Sequence, residues 1–542
     1  MCEYNVQKEA HRILTENLLA DEHLHPLIKT AAENIQIVGT DDKPWIPTPC
    51  KLTESAAALV SLVGAAASAV AADRYGIPLQ KVTVDTSDLS TLFILSIMLP
   101  TINGEPFFQN DHMKAEIARS DLNHALKPIH LATTNIYPTA DGKWYHLHGS
   151  MDARPTMRML DIPEQDDLTH VQARALVAQR VAQHTAAALE TCANDVFRQA
   201  GVTCLTPDAF LATPHGASVA QEPLWHRRAE PLAAPVAWPA TATDECRPLA
   251  GIRVLDFSRV VAAPVISKIL AALGASVLKI GTSTLPDIGL LLMDLSAGKH
   301  DAEVNLKTEA GRAAFEHVLR DADVLVDGYR PGVLERLGFP AQRLREINPR
   351  LVLVRENCYG WTGPLKHRSG WQQISDCLVG LSWLQGQFMG LDEPVVPLLP
   401  NSDYQTGLIG AAAVLEALLL RAHQPQTFTI DVSLTRYNIW YYHLGLYSAE
   451  QQDALRKRNP GFSVRHYDEM NGLLVKMTKQ VAQVRPDLLT REEFFQKMSG
   501  VEWGLSEDDD VRILVPPFSM ETSKVHYDTP SGRKGRSKAE WW

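Results

Sequence analysis

The sequence predicts an α/β protein built on a doubly wound parallel sheet, joined to a related α/β N-terminal half. Two observations predict it. Beyond about residue 250, short apolar strands alternate with helices of roughly 10 to 14 residues, the pattern of a parallel sheet covered on both faces. Closer to the N-terminus, one long stretch echoes a later one in order and type. A chain of 542 residues has room for both parts.

The echo comes first in the chain. Superposing Gly64 on Gly410 brings Asp85 onto Asp431 without a gap, 21 residues on in both. Each copy holds a small-residue helix, GAAASAVAA or GAAAVLEAL, then a polar turn and an alternating strand, KVTVDTS or TFTIDVS. Ser55 to Ala72 is uncharged and long enough to reach across a bilayer, but Ala, Ser and Gly gain little from lipid. It reads as a buried core helix, with no membrane span expected. Val171 to Ala200 carries a helical pattern. Leu224 to Cys246 is rich in Pro, Ala and Thr and reads as a linker, which divides the chain into 1–223, 224–246 and 247–542.

The α/β series follows. Ile252–Phe257 is a short apolar strand, a helix runs to about Leu273 and stops at Gly274, and Ala275–Ile280 is the second strand. A helix over Thr308–Asp321 leads into strand Asp323–Asp327, and Leu351–Arg355 is a further strand. The first turn, FSRVVAAP, lacks the glycine fingerprint of dinucleotide sites.

Composition limits the function. Hydrophobic residues make up 45% and charged residues 21%, as in soluble globular proteins. With 63 acidic against 52 basic side chains the net charge is −11, which argues against a nucleic-acid partner. The seven cysteines form no CxxC pair and read as free thiols of a reducing compartment, and the charged N-terminus does not resemble a secretory signal. An intracellular, more cytoplasmic than organellar, location is expected. His146 and His148 share one side of a strand, but no third ligand accompanies them, so no metal is expected. The basic tail GRKGRSKAEWW reads as a solvated terminus.

From Pro248 onward, the segments PLAGIRVLDFSRVVAAP, LGASVLKI, GKHDAEVNLKTEAGR, ADVLVDGYRPGVLERLG, INPRLVLV, GWTGP and SDYQTG to DVSL occur in one order. This set resembles CoA-transferase family III, the superfamily of formyl-CoA and carnitine CoA-transferases and 2-methylacyl-CoA racemases, over roughly residues 247–445. The N-terminal half resembles a degenerate copy. The resemblance implies a Rossmann-like fold and transfer of CoA from an acyl-CoA to a carboxylic acid. Coenzyme A would enter as the thioester substrate, not as a permanently bound cofactor. A homodimer, or an intrachain pseudo-dimer, is implied as well.

By position in SDYQTG, Asp403 matches the family nucleophile. It would attack the thioester, form a mixed anhydride and then hold CoA as an aspartyl thioester. A carboxylate near a helix N-terminus is favoured in its ionised form. Its counterpart in the first copy is Ala57, so that half is expected to be silent. Matching CoA-binding positions are Val261, Ala262, Lys299, Val304, Lys307, Gly328, Tyr329, Arg330 and Arg336, with the arginines suited to phosphate oxygens. The racemase branch carries an Asp where Gly370-Trp371-Gln372 stands here, and Gln cannot abstract a proton. A racemase-like enzyme and a non-catalytic acyl-CoA binder are the alternative readings, the latter because Gln372 and Tyr404 depart from the pattern.

Overall fold

The computed structural model describes residues 4–86, 88–240 and 245–542. Cys2 and residues 241–244 of the expected linker lie outside the described residues. The elements that position the site are, in the N-terminal half, β1 (Ile35–Val38), α1 (Leu52–Tyr75) and β2 (Val82–Asp85). Strand β3 (His226–Pro231) precedes β4 (Arg253–Phe257), α2 (Ala262–Ala272), β5 (Ser276–Gly281), α3 (Gly289–Leu295) and β6 (Lys299–Glu303). After these come β7 (Val324–Asp327), β8 (Val352–Asn357), α4 (Gln372–Val379), α5 (Asn401–His423) and β9 (Gln426–Ser433). Helix α6 (Met470–Val484) and strand β10 (Phe518–Met520) complete the set.

The main sheet has seven strands in the order β6-β5-β4-β7-β8-β9-β3. Its six parallel strands therefore run 3-2-1-4-5-6, the doubly wound order, with β4 and β7 side by side where the winding reverses. Their valines and leucines face cover on both sides; Val254 pairs in register with Val277 and Val324, and all three are fully buried. Helix α2 ends as the sequence predicts, with Gly274 at φ +99° just beyond it, a left-handed conformation that favours glycine.

Strand β6 is not evident in the sequence, because its residues, KHDAE, are mostly charged. Its charges are neutralised across the sheet: Lys299 meets Asp256 at 2.9 Å, and Asp301 meets Lys279 at 3.5 Å. The expected linker contains an element too. Strand β3 pairs antiparallel with β9, and Arg228 and Arg355 both pair with buried Asp431, at 2.6 and 2.7 Å.

The two echoed helices pack against each other in one hydrophobic core, and α2 packs on α5. Both are long and apolar enough to cross a membrane, yet both are buried inside the protein. Glycine allows the close approach. A Cβ on Gly407 would stand 2.5 Å from Val265 Cγ1, and one on Gly410 the same distance from Ile266 Cδ1. Each helix leads into a strand, as the echo predicts. The strands then diverge: β9 joins the seven-stranded sheet, whereas β2 forms a three-stranded sheet with β1 and the distant β10.

The C-terminal tail is not a solvated terminus. It runs along the free edge of β6, where the Ser537 amide donates to Asp301 O at 2.8 Å, and on to the helix Glu309–Leu319, where Trp541 Nε1 donates to Val318 O at 2.8 Å. Arg533 makes a two-pronged pair with Glu116 of the N-terminal half, both contacts at 2.8 Å. An open edge strand presents unpaired backbone groups, and the tail covers them.

Candidate active site

In a doubly wound sheet the ligand crevice lies beyond the carboxyl ends of the strands, at the reversal of winding. Here that point is formed by Ser258–Val261 after β4 and Gly328–Arg330 after β7. A buried network holds the first turn from below: Asp256 accepts from Ser258 Oγ (2.5 Å), Ser267 Oγ (2.6 Å) and Lys299 Nζ (2.9 Å). The second turn presses against the first. A Cβ on Gly328 would lie 2.4 Å from Ala263 Cβ, and Tyr329 stacks on Phe257 with ring centres 4.3 Å apart.

Two cavities open from this crevice. One, of 400 Å³, is lined by Arg259, Gly328, Tyr329, Arg330, Glu356 and Arg368, among others. The other, of 470 Å³, is lined mainly by apolar side chains from the N-terminal half and from α3 and α6. They share Val260, Trp371, Gln372 and Asp403 in their walls, so the Asp403 side chain stands where they meet.

Asp403 occupies the first turn of α5, whose N-cap residue, Pro400, supplies no side-chain cap. No hydrogen bond reaches its carboxylate among the described residues. Burial, then the charges of Glu356 and Asp376, push it well above the usual carboxylate range. The expectation that the helix N-terminus favours ionised Asp403 thus needs correction: lost hydration and two neighbouring carboxylates outweigh the helix end. Glu356 is itself raised to about 8 by burial and by Asp327.

Of the sequence-predicted positions, the structure gathers Asp403, Val261, Gly328, Tyr329 and Arg330 around this joined space. Five others lie apart from it. Lys299 is buried under the first turn, its ammonium spent on Asp256 and Pro264 O, so it is corrected from a phosphate ligand to a support. Ala262 and Val304 are buried in packing, and Lys307 and Arg336 are exposed and line neither cavity.

Sequence reasoning missed Arg259, which lines the smaller cavity from the first turn; its place just after the first strand of the doubly wound series was the available signal. It also missed the wall formed by Trp371, whose ring stacks on His148 at 4.9 Å and 4°. That stacking gives His148 a packing role, with Nδ1 accepting from the Ser150 amide at 2.9 Å. The Gln372 amide is held by Asp376 and by Leu399 O. Asp376, raised to about 7 chiefly by burial, receives further bonds from Ser402 (3.0 Å) and Asn438 (2.8 Å) and lines neither cavity.

Comparison with known proteins agrees with this geometry. The profile of CoA-transferase family III matches residues 249–472. The chain is 36% identical over 510 residues to the acetyl-coenzyme A transferase nodX of Hypoxylon pulicicidum, covering 90% of this chain and 86% of that one. It is 31% identical over 413 residues to an acyl-CoA transferase of Gibberella moniliformis, covering 74% and 72%. It is also 36% identical over 208 residues to the beta subunit of a succinyl-CoA–L-malate CoA-transferase of Chloroflexus aurantiacus, covering 35% and 50%. With a doubly wound sheet, a carboxylate in its ligand crevice and similarity that extends over most of its length, this chain belongs to CoA-transferase family III.

Proposed function

We propose that the protein moves CoA from an acyl-CoA to a carboxylic acid through covalent intermediates on Asp403. The supporting observation is that the carboxylate stands unbonded where a crevice edged by Arg259 and Arg330 meets a second, apolar cavity. An oxygen of Asp403 attacks the thioester carbon; the C–S bond breaks and CoA leaves as thiolate. The thiolate attacks Asp403 Cγ, the anhydride C–O bond breaks, and the first acid departs as a carboxylate. The acceptor carboxylate repeats the two steps in reverse and leaves as the new thioester. The overall exchange trades one thioester for another and is close to balanced, and the covalent route divides it into successive acyl transfers through the more reactive anhydride. Enclosure matters because water would hydrolyse the anhydride.

Arg259 and Arg330 pair with no carboxylate among the described residues. In this reading they receive the anionic end of CoA. Racemisation is the weaker reading: Gln372 is an amide, and Asp376 is turned into a buried network away from the cavity. Incubation with acyl-CoA followed by hydroxylamine tests the proposal. A hydroxamate at residue 403, absent in Asp403→Ala, supports it; saturable binding of acyl-CoA with no adduct and no exchange refutes it in favour of a binding protein.

A further inference from the structure

The larger cavity bears on which acids are exchanged, an inference that rests on the proposed function. Ile97, Met98, Phe108, Ile117, Leu291 and Leu474 form much of its wall. Ile97, Met98, Phe108 and Ile117 come from the N-terminal half, outside the segment that the family profile matches. Its 470 Å³ falls within the roughly 300–1,000 Å³ of cavities that enclose drug-sized ligands.

The charged groups at its margin are already engaged. Lys114 pairs with Asp111 at 2.7 Å, and His130 pairs with Glu164 at 2.9 Å. Glu469 caps α6 by accepting from the amides of Asn471 and Gly472 at 2.6 and 2.9 Å. Among the described residues that line it, no cation is left without a carboxylate of its own to receive the far end of a dicarboxylic acid.

We infer that the acids exchanged are hydrophobic monocarboxylates of at least medium chain length, their carboxyl carbon at Asp403 and their apolar body in this cavity. Acetate would leave the cavity almost unfilled. Succinate would bury an unpaired charge in it, which is costly. Each methylene that enters adds about 0.8 kcal/mol of transfer energy, or roughly fourfold in specificity.

The test uses the full chain and needs no knowledge of the natural acceptor. Each unlabelled acyl-CoA is mixed with its own carbon-13-labelled free acid, and label entering the thioester is followed by mass spectrometry. The labelled carboxylate adds to the Asp403 thioester carbon and expels CoA thiolate. The thiolate then adds to the labelled acyl carbon and expels the Asp403 carboxylate, so atoms and charge balance without a further reagent. Acetate, butyrate, hexanoate, octanoate, decanoate and succinate form the series. Exchange should rise about fourfold per methylene from acetate, reach an optimum at six carbons or beyond, and be slowest for succinate. Leu474→Trp should move the optimum towards shorter acids.

A flat profile, or succinate or acetate faster than octanoate, overturns the inference while leaving the covalent mechanism intact. If no acid exchanges, the proposed function fails. The affinities of octanoyl-CoA and acetyl-CoA, measured by calorimetry, then decide the cavity's role alone: tenfold or greater preference for octanoyl-CoA supports it, and equal affinity refutes it.

Discussion

The first turns of α1 and α5 offer a direct comparison. Each helix is long, rich in alanine and buried, and each carries a carboxylate near its N-terminus. On α1 it is Glu54, fully buried, accepting from Tyr4 Oη at 2.8 Å and from Tyr447 Oη at 2.7 Å. On α5 it is Asp403, facing the cavities without a donor. Burial raises both, Glu54 to about 7 and Asp403 well above its ordinary range. The difference is in their partners: two tyrosine hydroxyls satisfy Glu54, whereas no protein group among the described residues donates to Asp403. A buried carboxylate becomes a candidate nucleophile when its surroundings leave its oxygens unbonded.

The largest effect that sharpens this contrast is on turnover. Asp403→Ala should lower CoA transfer by about a thousandfold or more and abolish the hydroxylamine adduct. Its melting temperature should stay level or rise, because a partly buried carboxylate without a protein donor is removed. Loss of folding together with activity would break the comparison by making Asp403 structural.

Placing the same charge on the other helix comes next. Ala57 is fully buried in the core. Ala57→Asp should gain no transfer activity and should destabilise the protein by about 3–5 kcal/mol, since the new charge has neither water nor a partner. Thermal unfolding followed by circular dichroism checks it.

Removing a donor from Glu54 is milder. Tyr447→Phe should cost about 1–3 kcal/mol, the penalty for a buried acceptor left short of a bond, with transfer activity retained. Lost activity at unchanged stability would mean that the α1 carboxylate takes part in the chemistry after all.

The smallest expected effect is a displacement along the pH axis. An ionised Asp403 is required for attack, so the rate should rise with pH along a limb well above the usual carboxylate range. Glu356→Gln removes one of the charges that raises Asp403 and should move that limb to lower pH. Stability should run the opposite way. Glu54 and Asp376 titrate near 7 and Glu356 near 8 in the folded protein, against about 4 when unfolded. Through these groups the folded state holds more protons in between; buried His146 and His215, lowered to about 3 and about 4, oppose them below about pH 6.5, so the fall in stability should be clearest from about 6.5 to 8. An unfolding midpoint that rises between about pH 6.5 and 8 would contradict these shifts.

Much of the fold was legible because local signals agreed with the final packing. The apolar runs at Ile252–Phe257 and Asp323–Asp327, Gly274 and the two small-residue helices each announce one structural role. Where burial is shared between distant segments, the signal failed. KHDAE shows no strand period and gains its place only with Asp256 and Lys279 beside it, and the basic tail reads as solvated until the free edge of β6 and Glu116 are in place. The site divides in the same way. Asp403 and the glycine-containing turn at 328–330 could be placed from motif order, whereas Lys299, Lys307 and Arg336 could not be sorted from Arg259, since charge type says nothing of which cavity a side chain faces.

By itself the sequence determined the doubly wound series, the buried helices and the position of one carboxylate, because periodicity and glycine placement act through neighbours in the chain. Tertiary structure alone decided that this carboxylate lacks a partner, that Lys299 supports the turn from beneath, and that the N-terminal half walls an apolar cavity. Those properties depend on water excluded and charges brought together by segments hundreds of residues apart, and neither quantity is encoded at any single position.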